Sequence, residues 1–177
     1  MTATDTTAAG FDSRAVANWF LDRADADGRE LTHAQLQKLV YLAHGWHLAN
    51  VGKPLIRDEV QAWPYGPIIP VLYQEFKQYG DLPINGRAFE FDFGRRENVD
   101  IAADLPAVTL SVLEKTWIAY GDFSGADLSA FTSEEGSPWA EVVKSKPLVV
   151  RTKPPALTDA VLKRFYDEQL ALIRSRP

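Results

Sequence analysis

The chain contains no cysteine. That excludes disulfides, zinc–thiolate sites and a thiol nucleophile, and it suits a reducing compartment, so the expected location is the cytoplasm. Long apolar runs are missing as well. No segment approaches the roughly 20 apolar residues a membrane-spanning helix requires, and no membrane partner is expected. The opening stretch MTATDTTAAGFDS has neither a basic n-region nor an apolar core, and it does not read as a secretory signal. Residues 1–11 offer little to bury and are expected to form a disordered tail. The 11 glycines are scattered turn residues, with no glycine-rich loop opening a helix to cradle phosphate. Concentrated positive charge is absent too. The formal net charge is −5 and the isoelectric point about 5.2, which argues against a main role in coating nucleic acid. Arg95 with Arg96, Lys144 with Lys146, Arg151 with Lys153 and Arg174 with Arg176 are small clusters that read as solvated edges. Nucleic acid is therefore a secondary, not a favoured, partner.

Reactive chemistry is sparse. The three histidines are His33, His44 and His47. His44 and His47 are neighbours on one helix face, a spacing that could hold a metal. No HExxH pattern accompanies them, and His47 falls in an apolar stripe, so a hydrogen-bonded core histidine is the preferred reading. There is no GxSxG elbow. The adjacent acids Asp58 with Glu59 and Glu134 with Glu135 point apart and read as solvated surface. No catalytic residue, metal ligand or cofactor is expected.

What is present is a globular composition. With 177 residues, 46% hydrophobic and 24% charged, one domain over 12–177 is expected. A chain this long buries roughly 70% of its unfolded surface, enough for one core. Five tryptophans are more than usual, and aromatics serve both cores and interfaces.

The helix signals are clear. Ser13 or Asp12 caps a helix over 13–25, with Val16, Trp19, Phe20 and Arg23 on one side. Thr32 and Gln35 form a capping box before LQKLVYLAHGWHLANVG. That run places Leu36, Leu39, Val40, Ala43, Trp46 and His47 on one stripe, with Tyr41, Leu42 and Leu48 beyond it. A helix apolar on more than one side is expected to be central. Gly52 and Pro54 end it.

DEVQAW alternates like a short strand over 58–63. The stretch AWPYGPIIPVLYQEF over 62–76 then holds three prolines, one tryptophan and two tyrosines around one glycine. Proline fits only the first turn of a helix, so a third helix is expected to begin between Pro67 and Pro70 or at Pro67, and to stop at Gly80. The prolines would make a stiff corner. RAFEFDF sets Phe89, Phe91 and Phe93 at period two and predicts a strand in an otherwise loop-rich 81–106. Further helices are expected over 106–120, over 124–131 behind Ser124 and Asp127, from Pro138 behind Ser137 with Trp139 pointing inward, and over 158–174. LVVRT, 148–152, reads as one more short strand. The sum is an α+β, mainly α domain of about six or seven helices with a small antiparallel sheet.

Three segments, in order, carry a resemblance: LTHAQLQKLVYLAHGWHLANVGKPL, EVQAWPYGPIIPVLYQEFKQYG and EGSPWAEV. Together they resemble the Panacea domain, also called the SocA-like family and often labelled phage-associated protein. In that family an LQKL-type helix leads to a strand, then to A-W-x-Y-G-P-x-x-P-x-L-Y, and much later to G-S-P-W. The likeness covers 15–143, and the expected strand and helix over 148–175 fall outside it. The resemblance implies an antitoxin of a bacterial or prophage toxin–antitoxin module, with no enzymatic activity and no cofactor. It implies a cognate toxin protein as partner, neutralised by direct binding. The rivals are an adaptor that delivers the toxin to a protease and a DNA-binding repressor of its own operon.

For a binding module, Trp63, Tyr65 and Trp139 are natural anchors, with Pro67 beside them, because aromatics dominate interface hot spots. The alternative is that they pack as a seam between the strand, the third helix and the GSPW helix. Partner contact would then fall to the 81–106 segment, with Phe89 and Phe91, and to the C-terminal strand and helix.

Overall fold

The computed structural model describes residues 9–146 and 153–176. Among them are seven α-helices: α1 (Ser13–Ala26), α2 (His33–Val51), α3 (Pro70–Phe76), α4 (Ala107–Tyr120), α5 (Gly125–Ser133), α6 (Pro138–Ser145) and α7 (Asp159–Arg174). Two separate antiparallel hairpins complete the α+β architecture: β1 (Gln61–Trp63) with β2 (Gly66–Ile68), and β3 (Phe89–Asp92) with β4 (Glu97–Asp100).

The core is built around α2, against which α1, α4, α5 and α7 pack. Its start is the expected capping box: Gln35 N–H donates to Thr32 Oγ1 at 3.4 Å, and Thr32 N–H to Gln35 Oε1 at 3.0 Å. Gly52 closes it in the left-handed region at φ 76°. Leu36, Leu39, Val40, Leu42 and Ala43 are all buried, so the helix is apolar nearly all round. α7 reaches it closely at Gly45, where a Cβ would lie 2.1 Å from the Tyr166 ring. Glycine here is a packing requirement.

Several elements differ from the expectations. The strand expected over 58–63 is shorter, and it returns at once as β2 through a two-residue turn, with Trp63 opposite Gly66. Pro67 therefore lies in a strand, and the third helix starts at Pro70, with Ile69 as its N-cap. Proline is tolerated there because β2 is an edge strand. β4 was not expected. Its sequence ENVD is polar and lacks apolar alternation, and it forms by pairing with β3. The strand expected over 148–152 lies outside the described residues. Just after it, Ala62 N–H donates to Pro155 O and Leu157 N–H to Val60 O, each at 2.8 Å, so the chain passes alongside β1. Of the expected tail, residues 1–8 lie outside the described residues, but Phe11 is fixed by its N–H to Leu55 O at 2.8 Å. No described helix is long and apolar enough to cross a membrane.

Candidate functional site

The first hairpin is where the sequence motifs meet. Gln37 and Lys38 sit in the middle of α2, both buried, and both turn their polar ends to this hairpin. The Gln37 amide takes both backbone groups of Ile69: Ile69 N–H donates to Oε1 at 2.9 Å, and Nε2 donates to Ile69 O at 3.1 Å. Lys38 Nζ donates to Pro67 O at 2.8 Å. Burial disfavours its charge and pushes its pKa down to about 8. Gly66, at φ 112°, allows the approach, since a Cβ there would sit 3.2 Å from Nζ. α6 supplies the third contact, with Trp139 Nε1–H donating to Trp63 O at 2.7 Å. The Trp63 ring lies 4.9 Å from that of Tyr73, and its own Nε1–H donates to Gln61 Oε1 at 2.9 Å.

Trp63, Pro67 and Trp139 are thus brought together, as parts of a seam. Pro67 is buried, and both tryptophans are half-buried with their N–H groups satisfied internally. Tyr65 occupies the turn and is 86% exposed. Phe89 and Phe91 belong to the other hairpin and do not join this cluster; they are 50% and 47% exposed.

The histidine pair is likewise engaged. His44 Nδ1 accepts from Leu55 N–H at 3.2 Å, and its Nε2 meets Asp159 Oδ1 at 2.9 Å. His47 Nδ1–H donates to Lys53 O at 2.7 Å, and its Nε2 pairs with Thr109 Oγ1 at 2.9 Å. Burial holds the His47 pKa below its usual value. These contacts tie α2 to the loop that follows it, to α4 and to the start of α7. Among the described residues, no three His, Asp or Glu side chains gather as a metal site.

Sequence reasoning missed Gln37 and Lys38. Their signal was two adjacent polar residues inside an otherwise apolar helix, a position where polar groups need partners. It also missed Asn18. This buried residue donates from Nδ2 to Ala88 O and Ile101 O at 2.8 and 2.9 Å, and accepts from Ala88 N–H at 2.8 Å. It pins the root of the β3–β4 hairpin. A further surface feature is an apolar groove of about 420 Å³ between α2, α4 and α7, lined by Trp46, Val108, Tyr120 and Ile173.

Comparison with known proteins matches the sequence to one family. The model described as Antitoxin SocA-like, Panacea domain matches residues 36–140, a span that runs from the start of the LQKL segment past Trp139. Antitoxin SocA of Caulobacter vibrioides (strain NA1000 / CB15N) is 33% identical over 136 residues, covering 77% of this chain and 72% of that protein. No solved structure matches the chain.

Proposed function

The chain belongs to the Antitoxin SocA-like, Panacea-domain family, and on that premise we propose that it neutralises a toxin protein by binding it directly. The observation that carries this reading is the division of labour among its side chains. Gln37, Lys38, His44, His47 and the indole N–H groups of Trp63 and Trp139 hold the chain's own structure together. Large aromatics remain at the surface instead, with Tyr65 on one hairpin and Phe89, Phe91 and Phe93 on the other. Exposed aromatics on a rigid frame suit recognition of another macromolecule, because they bury much area for little loss of conformational freedom. The toxin is blocked while it remains bound, and no bond is made or broken.

Co-expression tests the reading. The polypeptide encoded by the adjacent reading frame should arrest growth alone and be silenced by this chain, with its own level and lifetime unchanged. A lifetime that collapses on co-expression favours delivery to a protease. Sequence-specific, salt-resistant retention of promoter DNA by the chain alone favours repression. Arrest without rescue contradicts an antitoxin role.

A further inference from the structure

We infer that the β3–β4 hairpin, with the cleft at its root, is the surface that seats the toxin, and that it fits a basic protein segment carrying an apolar side chain beside a lysine or arginine. This rests on the direct-binding reading above and assigns it a place and a chemistry.

The first observation is the aromatic face. Antiparallel register puts Phe89 opposite Asp100 and Phe91 opposite Asn98, so these four share one face. Phe93 extends the aromatic surface past the strand end, its ring 5.0 Å from that of Phe91 and edge-on. Three phenylalanines left in water on a twelve-residue hairpin are an unusual concentration of exposed apolar surface. Tyr65 on the first hairpin stands alone by comparison.

The second observation is charge. Four of the eight strand residues are acidic: Glu90, Asp92, Glu97 and Asp100. Among the described residues only Asp92 of these four forms an ion pair within 4.0 Å, with Arg95 at 3.8 Å in the adjoining turn. A partner that covers Phe89 and Phe91 also takes water from Asp100. Burying a carboxylate unpaired is unfavourable, so the partner must bring a cation. The same charge repels nucleic-acid phosphates and anionic lipid.

The third observation joins the two. Asp100 also lines a cleft of about 140 Å³ at the hairpin root, with Trp19, Asp22, Arg87 and Leu105 around it. Arg87 is already committed to Asp22 and Asp25. Asp100 and the Trp19 ring are left to receive the end of one long basic side chain, an arrangement that favours a cation. Asn18 holds the root to the core by three hydrogen bonds, so the face is presented on a fixed base.

Binding of the purified adjacent-frame polypeptide to the intact chain is the test. Phe89→Ser with Phe91→Ser should weaken the Kd by more than about tenfold. Asp100→Lys should do so too, with an effect that shrinks at high salt. Both sites are surface positions, so circular dichroism and melting should match the parent. Hydrogen exchange of the unaltered chain supplies a readout independent of any variant: residues 88–101 should slow on complex formation. Native-like variants that bind within about twofold of the parent overturn the inference, as does a complex without protection at 88–101. So do variants that dissolve a homodimer while binding the partner normally. In those outcomes direct binding itself stands, whereas a parent chain that never binds removes both.

Discussion

The indole N–H of Trp139 on α6 donates to the carbonyl oxygen of Trp63 on β1 at 2.7 Å, across 76 residues of chain. With Lys38 on Pro67 O and Gln37 on Ile69, it makes the first hairpin the point where three distant sequence motifs lock together. Within AWPYGP, Trp63, Gly66 and Pro67 then serve the frame, while Tyr65 stays at the surface. On the direct-binding proposal, toxin contact falls to residues that the frame does not use.

Trp139→Phe should therefore act on stability. It keeps most of the ring's packing but leaves Trp63 O without its donor. The expected loss is about 1–2 kcal/mol, read by urea unfolding with an unchanged slope. Toxin binding by the folded fraction should be preserved. A variant that unfolds like the parent but no longer binds would place Trp139 in the interface.

Lys38 predicts an unusual alkaline profile. Its pKa falls from 10.5 in the unfolded chain to about 8 in the fold because burial penalises the charge. Between those values the unfolded state binds more protons, so stability rises with pH. Over the whole window the gain from this group is on the order of 3 kcal/mol. The buried phenols of Tyr41 and Tyr166, held protonated by burial, oppose it above pH ~10. Unfolding measured from pH 8 to 10 should show the rise, and Lys38→Met should flatten it. An equally steep profile in the variant would rule Lys38 out as the source.

Asn18 predicts a local effect. Asn18→Ala removes the side-chain partner of Ala88 N–H and Ile101 O at the hairpin root, while Ala88 O keeps the Ile101 N–H at 2.9 Å. Global stability should fall by about 2 kcal/mol or more, and amides near 88 and 101 should exchange faster than those of α2. Uniform acceleration throughout the chain would mean that the hairpin has no separate anchorage.

The helical frame was legible because its signals are local. Thr32 with Gln35, Ser124 with Asp127, and Ser137 before Pro138 each cap a helix as their spacing requires. The first hairpin was not legible, because Pro67 looks like a helix entry until α2 supplies a lysine for its carbonyl. β4 was hidden for a similar reason: nothing in ENVD declares a strand until Phe89–Asp92 lies beside it. Period two identified the phenylalanine strand, yet it could not say that the aromatic face meets water. That depends on which elements pack nearby, a long-range fact. Trp63 and Trp139 carried both readings in the sequence, core and interface, and their 2.7 Å contact, with the Trp63 bond to Gln61 and its packing on Tyr73, joins them to the frame.

The most direct test of the account uses two purified components. The chain is mixed with the polypeptide encoded by the adjacent reading frame, the proposed toxin, with no protease, nucleotide or DNA present, and that polypeptide's own activity is followed as the chain is titrated in. Direct neutralisation predicts a stable complex and activity that falls to zero at a fixed stoichiometric ratio. Full toxin activity at saturating chain, or inhibition that appears only when a protease is added, would contradict it.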